Sequence, residues 1–181
     1  MSRWAHAALS ALGLVAVAAC SPADLPAAAK NGDVARVETL LATGADIAAV
    51  DDEGATALHW AARRGDAALV HRLVAAGAPL GVGDERTWTA LHYAASEGHA
   101  DVVAVLLAHG AAVDARAAAN FTPLHLAVIN SRYRSAELLL RAGAALDARG
   151  MEDRTALEFA RNRADHRMVV LLEGAAGEQD R

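Results

Sequence analysis

Three histidines recur at a fixed interval, His59, His92 and His125, each three residues after a threonine: Thr56, Thr89 and Thr122. A neutral imidazole is a common metal ligand, so an evenly spaced series raises the prospect of a metal ladder. The interval argues against it. Packed helices stand about 10 Å apart, whereas zinc ligands must converge within about 2.1 Å of one ion. His71, His99, His109 and His166 show no ligand spacing. The chain has one cysteine, Cys20, which excludes an internal disulfide and a cage with two thiolates. Ser96 precedes Glu97-Gly98 but lacks the preceding glycine of a nucleophile elbow. The glycines are periodic and read as turn geometry, not as a phosphate cradle. Asp51-Asp52-Glu53 reads as solvated charge. Neither catalysis nor a metal or cofactor is expected from these residues.

The histidines belong to a longer repeat. Thr56-Ala57-Leu58-His59-Trp60-Ala61-Ala62 is followed, 33 residues on each time, by Thr89-Ala90-Leu91-His92-Tyr93, Thr122-Pro123-Leu124-His125-Leu126 and Thr155-Ala156-Leu157-Glu158-Phe159. The pairs Leu40-Leu41, Leu73-Val74, Leu106-Leu107 and Leu139-Leu140 keep the same period, as do Gly44, Gly77, Gly110 and Gly143. Each threonine stands where an N-cap is needed, and Pro123 occupies a first helical position, where a missing N–H costs nothing. Gly65 and its equivalents stop the first helix. A second helix over 67–76 buries Leu69, Val70, Leu73 and Val74 at helical spacing. One such unit cannot bury its apolar face alone, so stacking must supply the core.

These motifs, Thr-Pro-Leu-His above all, resemble the ankyrin repeat over about residues 24–175. The resemblance implies an all-α solenoid of helix-turn-helix units joined by hairpin-like fingers. The register gives a first capping repeat at 24–50, then 51–83, 84–116, 117–149 and a last capping repeat at 150–177, with a polar, unstructured tail at 178–181. It also implies that Thr56, Thr89, Thr122 and Thr155 cap the first helices, and that His59, His92 and His125 bond locally and tie neighbouring fingers. Two departures carry expectations. Thr87 replaces the finger glycine seen at Gly54, so the second-to-third finger should change shape. Ser131 and Ala164 replace a turn glycine, so those turns should be less regular.

The amino terminus reads as an address. Arg3 precedes a 13-residue apolar run, Ala7 to Ala19, which is shorter than the roughly 20 residues of a spanning helix. Residues 1–19 therefore read as a signal peptide. Val17-Ala18-Ala19-Cys20 resembles a bacterial lipobox, which implies lipidation of Cys20. Ser21 after it implies outer-membrane sorting and a periplasmic array. A four-residue tether spans at most about 14 Å, so the array should lie close to the membrane.

Net charge is −5, ordinary for a soluble surface, and argues against tracking nucleic-acid phosphates. In proteins that resemble this one, partners lie on the finger tips and the concave face of the first helices. By register that surface comprises Arg63 and Arg64, then Arg86, Trp88 and Glu97, then Arg116, Phe121 and Ile129, then Arg154, with Ala55 among the finger positions. Trp88 and Phe121 share one register before the threonine and should stand side by side with the composition of an interface hot spot. The competing reading folds Trp88 down onto its own finger. Trp60, Tyr93, Leu126 and Phe159 read as inter-repeat packing. The expected protein is a non-catalytic, monomeric, lipid-anchored protein-binding module. The resemblance admits an immunity-type inhibitor or a scaffold for an envelope enzyme. The alternatives are a structural lipoprotein without a protein partner and a metal-dependent enzyme.

Overall fold

Ten α-helices, arranged as five antiparallel pairs, make up the described part of the chain, residues 24–179 of a computed structural model. The signal segment, Cys20 and the tether lie outside the described residues, as do Asp180 and Arg181. The pairs are α1 (Asp24–Asn31) with α2 (Val34–Ala42), α3 (Ala57–Arg64) with α4 (Ala67–Ala75), and α5 (Ala90–Glu97) with α6 (Ala100–Ala108). Then come α7 (Pro123–Ile129) with α8 (Tyr133–Arg141), and α9 (Ala156–Asn162) with α10 (His166–Gln179). First helices stack on first helices from α1 through α9, and second helices stack from α4 through α10. The result is the expected all-helical solenoid. Among the described residues the only extended pairing is two isolated bridges at finger bases, Val50 with Thr56 and Arg149 with Thr155.

Small residues set how closely the rows approach. Ala57, Ala61, Ala62, Ala90, Ala94, Ala95 and Ala127 are buried in the first-helix row, while Leu69, Leu73, Leu106, Leu139 and Leu172 fill the space between rows. Burying one such leucine stabilises by about 1.5–3 kcal/mol relative to leaving it in water, so each unit depends on its neighbours.

The interhelical turns correct one expectation. Ser131 and Ala164 take positive φ, 54° and 53°, as Gly32, Gly65 and Gly98 do. Their turns keep the same bonds: Arg132 N–H donates to Ala127 O and Asp165 N–H to Ala160 O, as Asp66 N–H donates to Ala61 O. The packing of both neighbouring helices holds the turn, and the strain falls on the side chain that replaces glycine.

The finger expectation is corrected too. Thr87 adopts φ 59°, close to Gly54 at 71°, and the two fingers share one shape. Asp84 is the reason. Its Oδ1 accepts from Arg86 N–H and Trp88 N–H, each at 2.9 Å, just as Asp51 Oδ1 accepts from Glu53 and Ala55. The later fingers are the ones that differ. Ala117 and Gly150 stand where those carboxylates were, and the tips pass through two consecutive left-handed residues, Ala119-Asn120 and Glu152-Asp153. At the carboxyl end, α10 runs through Gln179 rather than stopping at 177, so the helix takes up the start of the expected tail.

Candidate protein-binding face

The threonines and histidines form a repeated unit at the start of the first helices. Thr56 N–H lies 3.0 Å from His59 Nδ1, with the threonine hydroxyl at 2.8 Å. A backbone N–H can only donate, so Nδ1 accepts and the ring proton sits on Nε2. That Nε2–H then donates forward to Val82 O at 3.0 Å and Trp88 O at 2.9 Å. His92 repeats the arrangement toward Phe121 O at 3.2 Å, and His125 toward Arg154 O at 3.3 Å. Each imidazole is therefore a strut from its own N-cap to the next finger. Burial lowers the pKa of all three below the usual histidine value, and hydrogen bonds to the finger carbonyls only partly oppose it. Among the described residues no group of three or more metal-binding side chains gathers. In the last repeat Glu158 replaces the imidazole, and its carboxylate accepts from Thr155 N–H at 2.7 Å; that bond holds its pKa below the usual value.

Trp60, Tyr93, Leu126 and Phe159 are buried between repeats, as their register implies. Two of them do more. Trp60 Nε1–H donates to Asp51 Oδ2 at 2.7 Å, and Tyr93 O–H donates to Asp84 Oδ2 at 2.5 Å. Burial, then the Asp84 bond, hold the Tyr93 phenol well above its ordinary pKa. Asp51 and Asp84 are thus braces between finger and helix, not loose surface charge. Sequence carried the signal: where residue 126 or 159 lacks a donor, Leu or Phe, position 117 or 150 lacks an acceptor, Ala or Gly.

Trp88 and Phe121 occupy equivalent places but do not stand out from the surface side by side. Each is half-buried and turned onto the first-helix row. The Trp88 ring centre is 5.0 Å from Tyr93 and 6.3 Å from His92. Phe121 lies 6.0 Å from His125 and 5.9 Å from Phe159. Apolar area gained by folding onto a neighbouring ring outweighs full solvent exposure. Ala55 is buried and contributes no surface.

The charged positions divide by what already holds them. Arg63 is exposed, with its guanidinium over Trp60 at 5.2 Å and near Tyr93 at 5.8 Å. Lys30 sits 4.1 Å from the same Trp60 ring and bonds Glu53 at 2.9 Å. Arg64 reaches back to Lys30 O at 3.3 Å, and Arg116 forward to Arg149 O at 2.8 Å. Arg154 pairs with Glu152 at 2.6 Å. Arg86 and Glu97 are exposed, and Ile129 is half-buried against the core. By their place in the repeat, Arg63, Trp88, Phe121 and Ile129 belong with Arg86, Glu97 and Arg116 to the fingers and first-helix row. Sequence reading missed Asp51 and Asp84, which bond to the helix of their own repeat, and Lys30, whose partners Trp60 and Glu53 lie in the next unit.

A family model described as ankyrin repeats (3 copies) matches residues 25–117 and 61–150. No curated protein sequence matches the chain. The threonine–histidine struts, the stacked helix pairs and this match over most of the chain place it in the ankyrin-repeat family, whose arrays are protein–protein interaction modules.

Proposed function

We propose that the chain is a lipid-anchored, non-catalytic binding module of the bacterial periplasm, which holds a protein partner against its fingers and first-helix row. The observation that supports this most directly is the half-buried pair Trp88 and Phe121. Both are packed on the first-helix row, and Arg86, Glu97 and Arg116 belong by register to the same finger and first-helix surface. Aromatic anchors held in place lose little conformational entropy on binding, and interface energy concentrates at such residues. The lipobox-like Val17-Ala18-Ala19-Cys20 supports the anchoring half of the reading.

The test is capture from an envelope extract by the intact array and by the double variant Trp88→Ala/Phe121→Ala, with circular dichroism verifying the fold of both. A specific partner should be retained by the first and weakened at least about tenfold in the second, because hot-spot truncations cost about 2 kcal/mol or more. Equal capture by both would sink the role of the pair. Recovery of no protein at all would favour a structural lipoprotein. The anchor is tested separately: Cys20→Ser should accumulate unprocessed precursor, and normal maturation of that variant refutes the lipobox.

A further inference from the structure

The second-helix row brings together two histidines that the repeat pattern does not explain. His71 lies in α4 and His109 caps the end of α6, in adjacent repeats. Their ring centres are 5.6 Å apart with planes at 87°, and both residues are exposed. The equivalent positions of the neighbouring repeats carry Ala104 and Glu137 for His71, and Ala76 and Ala142 for His109. Nothing in the stacking of helices therefore requires imidazole here.

Two geometric facts point to a use. His109 Nδ1 is 2.9 Å from Val105 O, so Nδ1–H donates to that carbonyl and the lone pair lies on Nε2. Metal-binding imidazoles are held in this way, with the far nitrogen bonded to a backbone oxygen that fixes ring and tautomer. The separation also fits. A metal about 2.0–2.1 Å from each nitrogen sits roughly 3.2 Å from each ring centre, so two rings sharing it stand about 5.2 Å apart at a tetrahedral angle and about 6.4 Å apart when linear. The observed 5.6 Å falls between these limits.

We propose that His71 and His109 form an open, two-imidazole site for a divalent late transition metal, with water completing the coordination. Copper(II) should bind more tightly than nickel or zinc, following the usual order for nitrogen ligands. No third metal-binding side chain joins them among the described residues, which makes the site exchangeable rather than structural. The ion would bridge the second and third repeats on the side of the slab opposite the first-helix row.

The experiment uses the full chain in a Cys20→Ser background, so that the one thiol does not compete. Copper(II) and nickel(II) are titrated calorimetrically into this protein and into its His71→Ala, His109→Ala and His166→Ala variants. All these side chains are exposed, and circular dichroism checks each fold. Expected are one ion per chain, a loss of at least about tenfold in affinity for either of the first two variants, and none for His166→Ala. Thermal unfolding should shift upward with metal only when both histidines are present, because the ion binds the folded pair. Equal affinities in all the proteins, or no binding at about 1 mM metal, overturn the site.

Discussion

At the scale of single residues, hydrogen bonds between finger and helix separate positions that look alike. Asp84 is 8% exposed and holds Tyr93 O–H, whereas Asp51, which holds Trp60, is more open to water. Tyr93→Phe leaves a buried carboxylate oxygen without that donor, and should destabilise the array by about 1–3 kcal/mol. Trp60→Phe removes the corresponding donor from Asp51, where water can replace it, and should cost less through that bond. Urea unfolding of both variants tests the order, and a larger hydrogen-bond loss at Asp51 would contradict it. The pairing was legible in the residue types, since donors at 60 and 93 go with acceptors at 51 and 84. It was not legible in the 33-residue period, because the period describes what the units share and these bonds are what they do not. Trp88 shows the same limit. Its register was plain, but the turn of its ring onto Tyr93 depends on a contact that only the folded finger makes.

At the scale of elements, the turns show how much backbone strain neighbours can enforce. Helix positions followed from threonine caps and leucine spacing, and the structure keeps them to within a residue or two. Turn shape did not follow, because it is decided by contacts that the repeat period does not show: Asp84 Oδ1 within the finger for Thr87, and the flanking helices for Ser131 and Ala164. An L-residue in the left-handed region costs about 1–2 kcal/mol, which glycine avoids at some entropic cost in the unfolded chain. Ala164→Gly at φ 53° should therefore stabilise the array by up to about 1 kcal/mol. Thr87→Gly, where the side chain is β-branched, should gain at least as much. Chemical denaturation of the two variants is the measurement. A loss of stability at either site would mean that the side chain contributes more than its backbone strain, through Thr87 O–H to Arg86 O in the finger case.

At the scale of the whole molecule, the three imidazole struts make cohesion between repeats depend on pH. In a solenoid, stability is close to a sum of unit and nearest-neighbour terms. His59, His92 and His125 tie the second unit to the third, the third to the fourth and the fourth to the fifth. Burial lowers their folded pKa values, so as pH falls the unfolded chain takes up protons first, starting near the ordinary value of about 6.5. Their contribution is fully present above that value and is lost as pH falls through the folded values. Protonation would also place a proton on Nδ1 against Thr56, Thr89 or Thr122 N–H. Each extra proton bound by the unfolded chain contributes a slope of up to about 1.4 kcal/mol per pH unit, so three give at most about 4 kcal/mol per unit. Glu158 and Asp165, with pKa values lowered, act only below the usual carboxylate range and leave the interval from pH 7 to 5 to the histidines. The unfolding midpoint in urea should thus drop clearly between pH 7.5 and pH 5. Amide protection, corrected for the slower intrinsic exchange at the lower pH, should fall first in the fingers at 83–88, 116–121 and 149–154, and a midpoint flat across that interval would show that the struts do not hold the array together.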